Sequence, residues 1–413
     1  MLLLTVVGPL FWAANKAWTM PEAVQLQFKH VWGGFTLWDI IMPLFIFMCG
    51  AAIPYALSKR LDKDGWATGV FWRHVLARFA LLWFCGMLVQ GRLATLDPLQ
   101  ISPYNNTLQT IAAGYLIAAL VMLIPVRALR AAMPFILMGA YGVLLQFHGD
   151  YTPKDNFAQV VEQKILGFIL PAGSSAFNTH GYSWFLTTLM FGAMTLCGAQ
   201  CAEILRGKGP NSRKATALIF IGALLLGAGL ALELVIPCIK HIFTVSFTCQ
   251  AMGWCVLALA LLYVLTDILA VRFGWWLVVL YGQCALTAYM AMNFFRPALN
   301  ACTKTVTQGF PRYVDKAYMP LVEALVSSIL LTVVLVIRRR LRNARPAEPQ
   351  TDEAVDAPGE PGTADAFKSS LMEGAIADRF KLPGVGGEQA PTSLDSGETG
   401  PQAAHVKTKL KIH

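Results

Sequence analysis

Apolar residues recur in blocks about twenty residues long, the length an α-helix needs to cross the hydrocarbon core of a bilayer. Backbone polar groups in lipid must be satisfied within their own segment, and the chain lacks the two-residue alternation of an outer-membrane barrel. The pattern therefore predicts an all-α, polytopic membrane protein. It has about ten transmembrane helices, at 1–14, 35–58, 70–91, 104–124, 131–148, 183–205, 213–236, 243–267, 273–296 and 318–338.

The first block is shorter than the others. Residues 1–14 cover about 21 Å as a helix, less than a hydrocarbon core about 30 Å thick. No basic segment precedes the block, as one would in a secretory signal peptide. The pattern favours a start assigned inside the first helix over a cleaved signal, and N-terminal sequencing of the native protein tests this.

The chain changes character after its last apolar block. Residues 343–413 are dominated by Pro, Gly, Ala, Ser, Thr and acidic residues, which bury too little apolar surface to fold. The sequence predicts a membrane domain at 1–342 and a disordered cytoplasmic tail at 343–413.

Basic residues predict the orientation. The formal net charge is +9, and Lys and Arg cluster in alternate loops beside helix ends. Such clusters lie on the cytoplasmic side and also contact anionic lipid, so membrane lipid is the expected partner and nucleic acid is not. We expect both termini in the cytoplasm and the long loops 15–34, 149–182 and 297–317 outside.

Histidine chemistry is indicated ahead of the second predicted helix. His30 lies outside the membrane, and Asp39 lies about one turn inside it. If the loop folds back, the carboxylate can hold the imidazole in one tautomer and raise its basicity. The alternative is an interfacial histidine and a carboxylate at a helix N-terminus, where the dipole favours it.

Other polar residues lie where predicted helices begin or end on the outer side. Each is equally typical of a helix cap or an interhelical hydrogen bond, but together they predict an outward polar cavity within reach of His30. The candidate binding residues are Asn106, Gln109, Asn178, His180, Lys240, Gln283 and Asn293.

Motifs of common soluble enzymes and metal sites are missing from the sequence. It contains no P-loop, no G-x-S-x-G and no H-E-x-x-H. Cys197 and Cys201 are four residues apart on one helix, but no further ligand lies near them in sequence. No metal is expected.

The segment FKHVWGGFTLWDIIMPLFIFMCGAAIP resembles the membrane acyltransferases related to heparan-α-glucosaminide N-acetyltransferase. In that family a His and a W-x-G-[LF]-T stretch precede a D-[LI]-[VI]-x-P-x-F-[VI]-F-x-x-G pattern. Weaker similarities follow in NNTLQTIAAGYL, NTHGYSWFLTTL, KHIFTVSF and YGQCALTAY. The matching positions of the first segment are His30, Trp32, Gly34, Thr36, Asp39, Pro43, Phe45, Phe47 and Gly50.

The resemblance implies transfer of an acetyl group from cytoplasmic acetyl-CoA, across the membrane, to an amine on a sugar or glycan. His30 matches the active histidine, as acetyl carrier or as general base, with Asp39 orienting it. The candidate binding residues would then contact the acyl-CoA or the acceptor. Within the family the chain is most similar to a bacterial branch, which implies an inner-membrane location and action at the periplasmic face.

The chain departs from the family pattern in three places. The family's arginine-glycine motif ahead of the first helix is absent, D-P-E-G is replaced by residues 178–181 (NTHG), and G-x-N reads Gly282-Gln283. Sugar O-acylation and a non-enzymatic carrier or channel for a small polar solute are the alternatives. The sequence leaves open whether the chain forms a homo-oligomer.

Overall fold

The fold, seen in a computed structural model, is helical throughout the residues that the structure describes, with no strand among them. Those residues are 1–57, 68–91, 93, 97, 99–146, 150–153, 155–171, 173–178, 181–271 and 274–343. The predicted tail at 343–413 lies outside the described residues, apart from Asn343, which ends the last helix.

The described residues include fourteen α-helices, numbered in chain order. They are α1 Gly8–Ala17, α2 Glu22–Leu26, α3 Ile41–Ala56, α4 Gly69–Val89, α5 Thr107–Val121, α6 Arg127–Gln146, α7 Phe157–Ile169, α8 Thr188–Arg206, α9 Asn211–Glu233, α10 Val245–Tyr263, α11 Trp275–Gln283, α12 Ala285–Asn293, α13 Arg296–Thr307 and α14 Met319–Asn343. A π-helical turn at Leu3–Val7 runs into α1, a 3-10 turn at Leu37–Ile40 runs into α3, and a π-helical turn at Val264–Ile268 follows α10.

Seven of the described helical segments are long and apolar enough to cross a membrane. The chain is therefore a membrane protein by the length and composition of its helices. The candidate spans are Leu37–Ala56, Gly69–Val89, Arg127–Gln146, Thr188–Arg206, Asn211–Glu233, Val245–Ile268 and Met319–Asn343. The pair α11 and α12 passes the same test together, but its two helices are bent by 76°.

The bundle is centred on α8, which is the most buried of the candidate spans. It packs against α3 so closely that a Cβ on Gly50 would lie 1.8 Å from the Thr195 carbonyl oxygen. On the other helix, a Cβ on Gly198 would lie 2.0 Å from the carbonyl oxygen of Phe47. Small residues at both crossings let the backbones touch, as in other membrane helix pairs.

The long loops contain helices that hydropathy did not predict. These are α2, α7 and α13, of which α7 and α13 have 13 and 12 residues. The helix predicted at 273–296 is broken into α11 and α12, because Cys284 leaves the helical conformation with φ −111° and ψ 24°. A smooth apolar pattern records burial along a segment but not the direction of its axis.

Candidate functional site

The His30 loop is folded back onto the start of α3 by hydrogen bonds to its own backbone. The amide of Trp38 donates to the Gln27 carbonyl at 2.9 Å, and the Thr36 hydroxyl donates to the Lys29 carbonyl at 3.2 Å. Gly34 completes the turn with φ +95°, a conformation that favours glycine. The structure thus has the fold-back on which the predicted His30 and Asp39 pairing depends.

Asp39 is a fully buried carboxylate in the first turn of its span. Its Oδ2 accepts from the Thr36 amide at 3.1 Å, and the Thr36 side chain accepts from the Asp39 amide, which together form a capping box. Oδ2 also lies 2.7 Å from the Thr36 hydroxyl oxygen, whose hydrogen it shares with the Lys29 carbonyl. Its Oδ1 lies 3.1 Å from His30 Nδ1. One oxygen therefore fixes the helix start while the other faces the histidine.

Lys240 joins this pair from the loop between α9 and α10. Its Nζ lies 3.0 Å from Asp39 Oδ1 and 3.0 Å from His30 Nδ1. The side chain of Lys240 is 5% exposed, whereas that of His30 is 43% exposed. The three atoms form a triangle with sides of hydrogen-bond length. Asp39 and Lys240 are buried, whereas the His30 imidazole reaches solvent.

The Lys240 loop is held by a compact set of hydrogen bonds. The Thr244 hydroxyl donates to the Pro237 carbonyl at 2.8 Å and accepts from the Ile239 amide at 3.0 Å. Phe243 takes a left-handed φ of 46°, which is strained for an aromatic residue and marks a sharp turn. The Gly34 amide donates to the Cys238 carbonyl at 2.8 Å, so the two loops are joined through their backbones.

An aromatic layer covers the lysine side of the cluster. His241 stacks between Trp32 and Tyr182, with ring centroids 4.9 Å and 4.2 Å apart. Burial, followed by the positive charge of Lys240, lowers the pKa of His241 to about 4. His241 is thus a neutral packing residue near pH 7, and the indole of Trp32 donates to the Tyr151 carbonyl at 3.2 Å.

A cavity of about 1050 Å³ opens beside His30 at the end of the bundle where α3 and α5 begin. Lys240, Tyr182, Trp184 and Asn106 line it near the imidazole. The opposite wall comes from α1, α13 and α14. That wall carries three exposed cations and one carboxylate, namely Lys16, Arg296, Lys304 and Glu323.

Of the predicted binding residues, Asn106, Lys240 and Asn293 line the cavity, together with His30. Asn106 also caps α5, accepting from the amides of Leu108 and Gln109 at 3.0 and 3.2 Å. It donates to the Gly86 carbonyl as well. Asn106 therefore both caps α5 and lines the cavity.

Three other predicted binding residues do not line the cavity. Gln109 is fully buried, and its amide group is used by the Asn105 amide at 2.8 Å and the Pro103 carbonyl at 2.7 Å. Asn178 is exposed at the end of a short 3-10 turn, and Gln283 lies at the break between α11 and α12. As binding residues these three stay predictions, and His180 lies outside the described residues.

The sequence interpretation missed the cationic wall. Arg296, Asn300 and Lys304 are spaced four residues apart, which places them on one face of α13. That spacing could have indicated a helix with a polar, cationic face, but hydropathy assigned the segment to a loop. Within the described part of the chain, no group of three or more His, Cys, Asp or Glu residues is placed to bind a metal ion.

Comparison with known proteins adds no relative. No family model matches the chain, and no curated protein matches it.

Proposed function

We propose that the protein is a membrane acyltransferase that moves an acetyl or related acyl group from acyl-CoA to an amino sugar or glycan. The observation that carries this proposal is the His30 imidazole, which lies between a buried Asp39–Lys240 ion pair and a large cavity. Buried charges next to a half-exposed histidine are typical of sites that control proton position. The sequence resemblance described above supports the same assignment.

The reaction needs a lone pair on the ring nitrogen that faces the ligand. Because Nδ1 of His30 contacts Asp39 and Lys240, Nε2 is the nitrogen available to the cavity. In direct transfer, Nε2 takes the proton that the acceptor nitrogen loses as its bond to the acyl carbon forms. The thioester C–S bond breaks, and the proton passes to the CoA sulfur.

In a two-step route, Nε2 itself first bonds to the acyl carbon and the thiolate of CoA leaves. The acceptor nitrogen then displaces the imidazole, and its proton passes to the thiolate. Both routes end with a thiol and an amide, so they differ only in whether His30 carries the acyl group. Asp39 orients the ring in either case.

The charge of the cavity suits a phosphate-bearing or acidic ligand. Lys16, Arg296 and Lys304 face it from the wall opposite His30, against one carboxylate, Glu323. Cations bind phosphate and carboxylate groups through charge-assisted hydrogen bonds. The cavity is near the upper end of the 300–1,000 Å³ typical of ligand sites, so it has room for a sugar unit that carries such a group.

Charge reversal in this wall tests the role of the cations. Lys304→Glu should weaken binding of a phosphate-bearing or acidic amino sugar at least tenfold in equilibrium binding to purified protein. Lys316→Glu makes the same charge change at an exposed residue that does not line the cavity, and it should leave binding unchanged. Equal weakening by both variants would show that binding depends on the net charge of the protein and not on the cavity wall.

We further propose that ten helical segments cross the membrane. The two additions to the seven candidate spans and the bent pair α11–α12 are Leu3–Ala17, which combines the first π-helical turn with α1, and α5. With both termini in the cytoplasm, the cavity opens toward the periplasm of a bacterial inner membrane. Bases at the other ends of the helices support this orientation, notably Arg127, Arg206, Arg213 and Arg340.

The decisive experiment incubates purified protein with radiolabelled acetyl-CoA and a panel of amino sugars. His30→Gln should reduce transfer at least a hundredfold, the usual contribution of a general base. His74→Gln is the matched control, because His74 lies in α4 and does not line the cavity. Equal transfer by wild type and His30→Gln refutes the assignment. Treating the product with mild alkali separates an O-acyl ester, which hydrolyses, from an N-acyl amide.

A carrier for a small polar solute is the competing function, and the broken helix favours it. Discontinuous helices form the substrate sites of many transporters, and α11 and α12 are bent by 76° beside Gln283. Uptake of an amino sugar by proteoliposomes that contain no acyl-CoA would support the carrier. Labelled transfer that requires acyl-CoA would support the enzyme.

A further inference from the structure

The contacts of Lys240 and Asp39 with His30 determine which ring nitrogen of His30 carries the hydrogen. An ammonium group has only hydrogens to offer, and Lys240 Nζ lies at hydrogen-bond distance from His30 Nδ1. A hydrogen on Nδ1 would be donated to Asp39 Oδ1 at 3.1 Å, whereas a bare Nδ1 accepts from Lys240 Nζ at 3.0 Å, so Nδ1 makes one contact or the other. A charged Lys240, which can only donate, favours the arrangement in which Nδ1 accepts and the ring hydrogen is on Nε2.

Asp39 does not reverse this arrangement. Its Oδ2 is occupied by the Thr36 amide and hydroxyl, so Oδ1 alone is shared by His30 and Lys240. With Lys240 charged, Oδ1 accepts from the ammonium. With Lys240 neutral, Oδ1 can instead accept a hydrogen from Nδ1, and Nε2 then has a free lone pair.

We propose that Lys240 is a positioning residue that sets the tautomer of His30, so that Nε2 presents a hydrogen to the cavity until Lys240 loses its proton. When Lys240 is neutral, the ring hydrogen moves to Nδ1, where Asp39 accepts it. Nε2 then becomes a base or a nucleophile. The consequence for acyl transfer rests on the function proposed above, but the tautomer does not.

The surroundings of Lys240 favour loss of its proton at a lower pH than is usual for a lysine. Burial lowers the pKa of Lys240 from its ordinary value, although the charge of Asp39 opposes the effect. The uncharged aromatic layer of Trp32, Tyr182 and neutral His241 keeps water away from one side. The titratable groups near the Asp39–Lys240 pair are His30, His241, Tyr182 and Cys238.

Chemical acylation of His30 tests the tautomer without any substrate. Diethyl pyrocarbonate transfers an ethoxyformyl group to an imidazole nitrogen that has a lone pair, and the leaving ethyl carbonate breaks down to CO₂ and ethanol. Nδ1 is shielded by the ion pair, so the rate at His30 reports a free lone pair on Nε2. The rate is measured by mass spectrometry of the His30 peptide as a function of pH, with the His74 peptide of the same digest as internal reference.

Three versions of the full-length protein give different pH profiles. In the wild type, the rate at His30 rises as Lys240 deprotonates. Lys240→Arg keeps a permanent cation beside Nδ1, so that rise should disappear. Lys240→Met removes the cation and lets Nδ1 donate to Asp39. At pH values below the rise in the wild-type profile, its His30 should react at least about tenfold faster than the wild type, as expected from loss of a charge-assisted hydrogen bond.

Identical profiles in wild type and Lys240→Arg would overturn the proposal, as would a Lys240→Met rate no faster than wild type at pH values below the rise in the wild-type profile. If Lys240→Met does not fold, the comparison of wild type with Lys240→Arg still decides. Acetyl transfer by the wild type is measured separately. A protein with the expected acylation profiles but no transferase activity would keep the tautomer assignment and lose the proposed function.

Discussion

Replacing Asp39 by asparagine should destabilise the protein by about 3–4 kcal/mol through the charge left on Lys240. The carboxamide oxygen of the variant can still accept from the amide of Thr36, so most of the capping box survives. The lysine, 5% exposed, loses its counter-charge, and breaking a buried pair costs about 3–5 kcal/mol. The lysine can limit that cost by releasing its proton, which costs about 4 kcal/mol at pH 7.5 from an ordinary pKa near 10.4.

Unfolding by sodium dodecyl sulfate in mixed micelles measures this loss for Asp39→Asn. The double variant Asp39→Asn/Lys240→Met removes the stranded cation and should recover at least about 2 kcal/mol, since the two sites are directly coupled. The exposed Asp155→Asn makes the same chemical change elsewhere and should stay within about 0.5 kcal/mol of wild type. The reasoning fails if Asp39→Asn unfolds like wild type, or if the double variant loses the sum of the two single losses.

Further predictions concern packing and pH. Gly50→Ala should cost about 3 kcal/mol or more by forcing α3 off α8, whereas Gly139→Ala, with no atom within 4 Å of its Cβ, should be neutral or slightly stabilising in the same unfolding assay. Burial raises the pKa of Glu162 to about 7. The free energy of unfolding therefore has its full contribution from Glu162 below pH 4.5 and loses on the order of 3 kcal/mol as the pH rises through 7. Glu162→Gln should abolish that decline. His241, with its pKa lowered to about 4, acts in the opposite direction, so His241→Phe should remove a loss of similar size between pH 6.5 and pH 4. Unfolding titrations from pH 4 to pH 8 on the wild type and both variants separate the two slopes, and unchanged slopes would contradict both assignments.

Short-range features of the site were predictable from sequence. The separation of His30 from Asp39 is nine residues, which a single folded loop can close. Asn106 precedes an apolar run at a position typical of an N-cap, and it does cap α5. In both cases the contact lies within one turn and its flanking loop, so local sequence contains the necessary information.

The third member of the cluster depended on the packing of distant segments. Lys240 is 210 residues from His30, and its own surroundings resembled any polar loop before a helix. It reaches the histidine because α10 packs against both α3 and α8. The cationic wall was missed for a related reason, since α13 is an amphipathic helix within a segment that hydropathy assigned to a loop.

The backbone hydrogen bond from Gly34 to Cys238 has a mechanical consequence for access to the cavity. It fastens the loop of the histidine to the loop of the lysine regardless of the side chains on either side of the contact. The two loops are therefore coupled, and each continues into a helix of the bundle interior, α3 or α10. If entry of a large ligand needs a change of shape, we expect the opposite wall, formed by α1, α13 and the start of α14, to make it.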